Sequence, residues 1–226
     1  MNYFSHGILY LDRPYFLIGT ALPDLMSVVD RQVRLRARRV SPFADEAAGP
    51  ETEIAAGILQ HLRDDAWFHA TPAFAQVSAE LTERFRAVLP ADDAHRPSFL
   101  GHIVTEILLD GVLIAAAPSR LDAYYAALEQ LDAQRVEQAV NRMARQPTDR
   151  LATFLPLFTR ERFLADYLDP ERLWFRLNQI MRRVKLSPLP EEVQSVLREG
   201  WSLVETRAEA LLPGEIVDSV LRPRSA

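Results

Sequence analysis

Three short segments gather side chains that can bind a metal. His61, Asp65 and His69 recur at every fourth position, as do His102, Glu106 and Asp110, and the N-terminal stretch adds His6 and Asp24. Residues four apart lie on nearly the same face of an α-helix. Each ladder therefore becomes one polar stripe if its segment is helical. Two facing stripes would make a nitrogen-and-oxygen pocket for one or two divalent ions of Mn, Fe, Zn or Mg. The 226-residue chain has no cysteine, so thiolate zinc sites, Cys-ligated iron–sulfur clusters and disulfides are excluded. Neither a glycine-rich phosphate loop nor a serine-elbow motif is present. The chemistry that remains is metal-assisted: a water made acidic by the ion, with a carboxylate as base.

Each group has a plainer explanation. The first ladder could be the polar face of an amphipathic helix, and the second a buried polar network that fixes helix packing. The second lies in Phe99-Leu-Gly-His-Ile-Val-Thr-Glu-Ile-Leu-Leu-Asp110, a very apolar setting. Buried carboxylates there need a partner, a hydrogen bond or a metal. His6, beside Phe4 and Leu9, has the setting of a satisfied core histidine, and Asp24 after Pro23 suits a helix N-terminus. His95, in a polar loop, reads as a surface residue, and Asp64 as a solvated neighbour of Asp65. Arg63 and the run Arg31, Arg34, Arg36, Arg38 and Arg39 read as solvated cations with a capacity for phosphate or an acidic protein.

The elements that must position these residues are helices. Glycine is scarce, at 8 residues, while helix formers are abundant and 48% of the chain is hydrophobic. Apolar spacing predicts helices from Glu53 through His69, over 73–88, and from Phe99 to Ala116 with Ser98 as N-cap. Upstream, short elements are expected at 3–11 and 15–21, with a helix opening at Pro23 and running into the basic stretch, then a loop over 41–52. Downstream, helices are expected at about 119–132, 133–145, 148–155, 159–168, 171–184, 190–199 and 200–211, followed by a frayed tail. The loop 89–97 separates two of the central helices. This gives an all-α chain with a metal-binding core at 1–116 and a helical C-terminal region at 117–226 packed on it. A net charge of −5 argues against nucleic acid. No apolar run approaches the roughly 20 residues of a membrane span and no targeting segment is evident, which points to a soluble cytoplasmic protein.

Several of these residues also carry a resemblance. Met1-Asn-Tyr-Phe-Ser-His6 resembles the Met-Asn-(aromatic)-x-x-His opening of acyl carrier protein phosphodiesterases. Gly19-Thr-Ala-Leu-Pro-Asp24 is similar to their Gly-Asn-x-Leu-x-Asp segment, with Thr20 for Asn, and Gly57-Ile-Leu-Gln-His61-Leu-Arg-Asp-Asp65 to their Gly-Ile-x-x-His-x-x-x-Asp segment. The likeness covers roughly residues 1–115. Phe68-His69 stands where the family has Thr-Asp, and Glu106-x-x-x-Asp110-Gly111 where it has Asp-x-x-x-Asp-His. The helix around Gly101-His102 loosely resembles those of zinc-dependent phospholipase C-like hydrolases.

The resemblance implies a multi-helix bundle related to the HD-domain phosphohydrolases, with a helical C-terminal extension, a divalent-metal site and phosphoester hydrolysis. In that family the bond cut joins phosphopantetheine to acyl carrier protein. The ligand pool is then His6, Asp24, His61, Asp65, His69, His102 and Glu106. Asp24 or Asp110 would orient or deprotonate the attacking water. Arg31, Arg34 and Arg63 would bind phosphate, on a phosphorylated small molecule or an acidic carrier protein. The competing readings are a non-catalytic helical module for metal or protein binding, and a phospholipase C-like hydrolase.

Overall fold

The computed structural model describes residues 1–91 and 94–222. Residues 92 and 93 of the expected loop and 223–226 of the expected frayed tail lie outside the described residues. Among the described residues every regular element is helical, so the fold class is all-α. In chain order the helices are α1 (Tyr3–Gly7), α2 (Pro14–Val29), α3 (Ala37–Ala44), α4 (Pro50–His69), α5 (Pro72–Val88) and α6 (Pro97–Ala116). They continue with α7 (Pro118–Leu128), α8 (Ala133–Met143), α9 (Leu151–Glu161), α10 (Pro170–Val184) and α11 (Val193–Leu211). A 3-10 segment, Phe163–Leu168, precedes α10, and short turns at Gly214–Ile216 and Val217–Leu221 follow α11.

Proline opens α2, α4, α5, α6, α7 and α10. Its fixed φ fits a first turn, where the missing N–H would have no helical partner. Side chains complete several starts: Thr71 accepts from Phe74 N, and Asp132 and Asp169 each accept from two backbone N–H groups. The expected N-cap Ser98 instead lies inside the first turn of α6; Arg96 holds the N-cap position without a side-chain hydrogen bond to the helix.

Three prolines placed by sequence at a helix start, in a loop and at a joint sit inside helices instead: Pro23 in α2, Pro42 in α3 and Pro156 in α9. An internal proline costs one hydrogen bond and some bending. In α2 the burial of nine residues, among them Phe16, Leu17, Ile18, Leu22 and Leu25, outweighs that cost. One helix therefore replaces the two elements expected at 15–21 and from Pro23. The basic stretch does not prolong it: Asp30 ends α2, and α3 occupies the start of the expected 41–52 loop. Likewise, α11 runs unbroken through Gly200.

The helices group into two compact units, each drawn from two stretches of chain. One comprises Asn2–Ala66 with Pro118–Phe163, and the other Met1, Trp67–Ala117 and 164 onward. In the first, Phe4 packs edge-on against Tyr124, and Tyr3 packs on Phe158 and Phe163. Helices α2 and α4 meet backbone to backbone at Gly19 and Gly57. A Cβ on Gly57 would lie 2.2 Å from the Phe16 carbonyl oxygen, and one on Gly19 2.5 Å from that of Ile54. Only glycine permits this approach.

In the second unit α6 packs on α5 and α11. Gly101 lies against Ser78 and Thr82 of α5, and Gly200 of α11 against Leu81 and Leu108. By length and composition α6 is apolar enough to cross a membrane, which corrects the sequence reading that no run approaches that length. Twelve of its residues are buried, and His102 and Glu106 interrupt its apolar surface.

Candidate metal centre

In the first unit His6 of α1, and His61 and Asp65 of α4, bring donor atoms within 4.8 Å of one another. The Asn2 capping box fixes the short helix that carries His6. The Gly19–Gly57 approach sets α2 against α4 one turn before His61. His61 and Asp65 then share a face because they are four residues apart. His6 and His61 are 1% and 2% exposed, and their rings stack with centroids 4.0 Å apart.

Both imidazoles are held from behind. His61 Nδ1 is 2.8 Å from the Thr20 carbonyl oxygen, which can only accept, so Nδ1 carries the proton and donates it. His6 Nδ1 is 3.3 Å from Asp64 Oδ2. The Nε2 atoms are thereby turned toward Asp65: His6 Nε2 is 3.2 Å from Asp65 Oδ1, and His61 Nε2 3.4 Å from Asp65 Oδ2. His6 Nε2 is buried and makes no hydrogen bond. A tetrahedral ion with bonds near 2.1 Å holds its ligand atoms about 3.4 Å apart. The two nitrogen–oxygen spacings, one to each oxygen of Asp65, are of that size, and outer acceptors on Nδ1 are what metal-binding histidines usually have. These residues can hold a metal ion.

The electrostatics favour a cation here. Burial opposes charge on His6, but the Asp64 and Asp65 carboxylates outweigh it and push its pKa up to about 9. Burial likewise opposes the Asp65 carboxylate, yet pairing with His6 and His61 holds it well below the usual carboxylate range. Both shifts describe one fact: the pocket holds more negative charge than neutral imidazoles can balance.

Asp24 stands at the edge of this group. Its Oδ1 is 4.0 Å from His61 Nε2, and its side chain is 36% exposed. It lies inside α2 rather than at a helix N-terminus. Asp64 is no solvated bystander, since it accepts from Gln60 Nε2 at 2.6 Å as well as facing His6. Arg63 donates to Gln60 Oε1 at 2.8 Å, so a chain of contacts leads from an exposed guanidinium to His6. Sequence reading took Asp64 for a solvated neighbour of Asp65 and gave Gln60 no role. The available signal was spacing: Gln60 and Asp64 repeat the i, i+4 step of His61 and Asp65, one residue earlier.

The second unit holds the other donor set: His69 at the end of α4, with His102 and Glu106 of α6. His69 Nε2 is 2.7 Å and His102 Nε2 3.4 Å from Glu106 Oε1. The Met1 amino group is 3.4 Å from the same oxygen. Burial raises the Glu106 pKa, but hydrogen bonds to His102 and His69 and the nearby amino group prevail and lower it to about 2.

The rungs of the α4 ladder thus belong to two donor sets, His61 and Asp65 to one and His69 to the other. Asp110 is fully buried one turn beyond Glu106 and belongs to neither set. Arg31 and Arg34 are exposed between α2 and α3 and make no ion pair among the described residues. His95, expected at the surface, is 7% exposed, with Nε2 3.2 Å from the Pro188 carbonyl oxygen. A backbone acceptor brought from distant sequence satisfies that nitrogen, which no local pattern reveals.

No family model, curated protein or solved structure matches this chain.

Proposed function

We propose that this chain is a metal-dependent phosphohydrolase whose metal site is built on His6, His61 and Asp65. The observation that carries the reading is the double anchoring of the imidazoles. Asp64 holds one Nδ1 and the Thr20 carbonyl the other, while both Nε2 atoms face Asp65 at 3.2 and 3.4 Å. Two nitrogens and a carboxylate suit Zn, Mn or Fe better than Mg, which prefers an all-oxygen shell. The bound ion would supply Lewis-acid charge at the reacting phosphoester. Asp24, partly exposed at 4.0 Å from His61, is placed to orient a water and take its proton. Thr20 and Asp64 keep the imidazoles in one tautomer and one orientation. Arg63 is available for a phosphate oxygen.

The resemblance on His6, Asp24, His61 and Asp65 supports an HD-like arrangement of the metal-binding helices and a phosphodiester substrate. The phosphopantetheine link of an acyl carrier protein is the first candidate. Exposed Arg31, Arg34, Arg36 and Arg38 supply positive charge for an acidic carrier.

The test combines metal analysis with turnover of bis(p-nitrophenyl) phosphate and of phosphopantetheinylated carrier protein. We expect one tightly held ion and metal-dependent turnover, both lost in His61→Ala. Failure to retain any divalent ion after reconstitution would overturn the reading. One observation favours the competing non-catalytic role: His6, His61 and His69 each already have a protein partner. A metal-free protein as stable as the metal-loaded one would select it.

A further inference from the structure

We propose that His69, His102 and Glu106 form a second, solvent-open site for a borderline transition ion such as Zn2+, Co2+ or Ni2+. It does not depend on the group around His6. The donor atoms lie within 4.8 Å of one another, and two imidazole nitrogens converge on a single oxygen, Glu106 Oε1. The His102–Glu106 spacing of 3.4 Å is already that of a tetrahedral edge, about 3.4 Å for bonds near 2.1 Å. The His69–Glu106 contact of 2.7 Å has to open by a fraction of an ångström. His69 ends α4, so its ring can move by that amount without disturbing a helix interior.

The rings are positioned rather than loose. Phe74 of α5 packs against both, with centroids 4.9 Å from each, and the His69 and His102 rings are 4.8 Å apart. His102 and Glu106 come from one helix, four residues apart, on the long and largely buried α6. Such a rigid scaffold keeps two of the three donors in place before an ion arrives, and Phe74 packs on the ring of the third. The histidine side chains are 33% and 44% exposed, so water can reach the ion and complete its shell. Three protein ligands with an open position allow exchange and a further ligand. Two imidazoles against one carboxylate set the preference: borderline ions bind, while Mg2+ and Ca2+ favour all-oxygen sites. Glu106, on α6, is the anionic member, and His69 and His102 supply the nitrogens that select the ion.

Co2+ is the probe, added to the full chain and followed by its visible absorption and by equilibrium dialysis. A His6→Asn/His61→Asn variant removes the first group; it is expected to keep one equivalent of Co2+. Adding His69→Asn or His102→Asn to it should weaken that equivalent at least tenfold, and Mg2+ in excess should not displace it. Where the double variant does not fold, the same comparison uses His69→Asn and His102→Asn alone. Their exposed side chains make folding expected, and the stoichiometry should fall by one. A variant lacking the first group that takes up no Co2+, or unchanged binding in both His69→Asn and His102→Asn, overturns the proposal. Loss of one equivalent in His102→Asn but none in His61→Asn would uphold this site while refuting the metal-centre reading at His6, so the two failures are distinct.

Discussion

Metal affinity at the His6 group should rise steeply with pH. In the metal-free protein the His6 pKa is about 9, because Asp64 and Asp65 outweigh the effect of burial. An ion binding through Nε2 must displace the proton on that atom, which faces Asp65 Oδ1 at 3.2 Å. At pH 7 only about 1% of a group with a pKa of about 9 is free of its proton. The competition therefore weakens apparent affinity by about 100-fold, or about 2.7 kcal/mol, and each unit toward pH 9 should recover tenfold. The assay is competition against a chromophoric chelator from pH 6.5 to 9.5, corrected for the chelator's own protonation. Calorimetry in buffers of different ionisation enthalpy would count the protons. About one should leave His6 at pH 7, and the slope should flatten above pH 9. A pH-independent dissociation constant between 7 and 9, or no proton release from the His6 group, would refute the reasoning. Either result would mean that the ion does not replace the proton on His6 Nε2.

Three further expectations follow from the same geometry. Asp64→Asn removes the negative charge behind His6 Nδ1 and should weaken metal binding about 10- to 100-fold at pH 9.5. The loss should be smaller at pH 7, where weaker proton competition offsets it; equal losses at both values would contradict the account. Metal-free protein should lose stability on the alkaline side, because a raised pKa stabilises the fold fully below the unfolded value of 6.5 and ceases to do so as pH passes about 9. The shift corresponds to about 3 kcal/mol, counted once for the His6–Asp65 pair. Thermal melting should fall by several degrees between pH 6.5 and 9.5, and His6→Gln should abolish that dependence. Gly57→Ala would place a Cβ 2.2 Å from the Phe16 carbonyl oxygen, so it should destabilise by ~1–3 kcal/mol despite alanine's better helix propensity. Melting at or above the wild-type temperature would show that the α2–α4 approach is not tight.

Helical periodicity made the all-α class legible, and it located α4, α5 and α6 to within a few residues. What it misjudged was proline. Pro14, Pro72 and Pro97 open helices as their chemistry suggests, but Pro23 and Pro156 lie where burial on both sides sustains the helix across the lost hydrogen bond. That balance depends on neighbours distant in sequence. The ligand-type residues were visible for a similar reason: His61 and Asp65, like His102 and Glu106, are one helical turn apart, and spacing alone places them together. Which donors meet across helices was not visible. Sequence cannot show that His6 reaches Asp65, that His69 turns to Glu106, or that Asp64 backs His6. The Thr20 carbonyl that orients His61 leaves no trace in residue identity, because every residue has a carbonyl.

The glycine contact between α2 and α4 bears on how firmly His61 is held. Main chain rests on main chain at Gly19 and Gly57, with no side chain between them to swing aside. His61 sits one turn beyond that contact, with its Nδ1 tied to the α2 backbone at Thr20. The contact works as a rigid mount for that imidazole. Widening it means moving two helices, whereas a gap propped by side chains could yield through a single rotamer change. An imidazole on such a mount keeps its place with or without an ion, so little ordering of His61 would be left for binding to achieve.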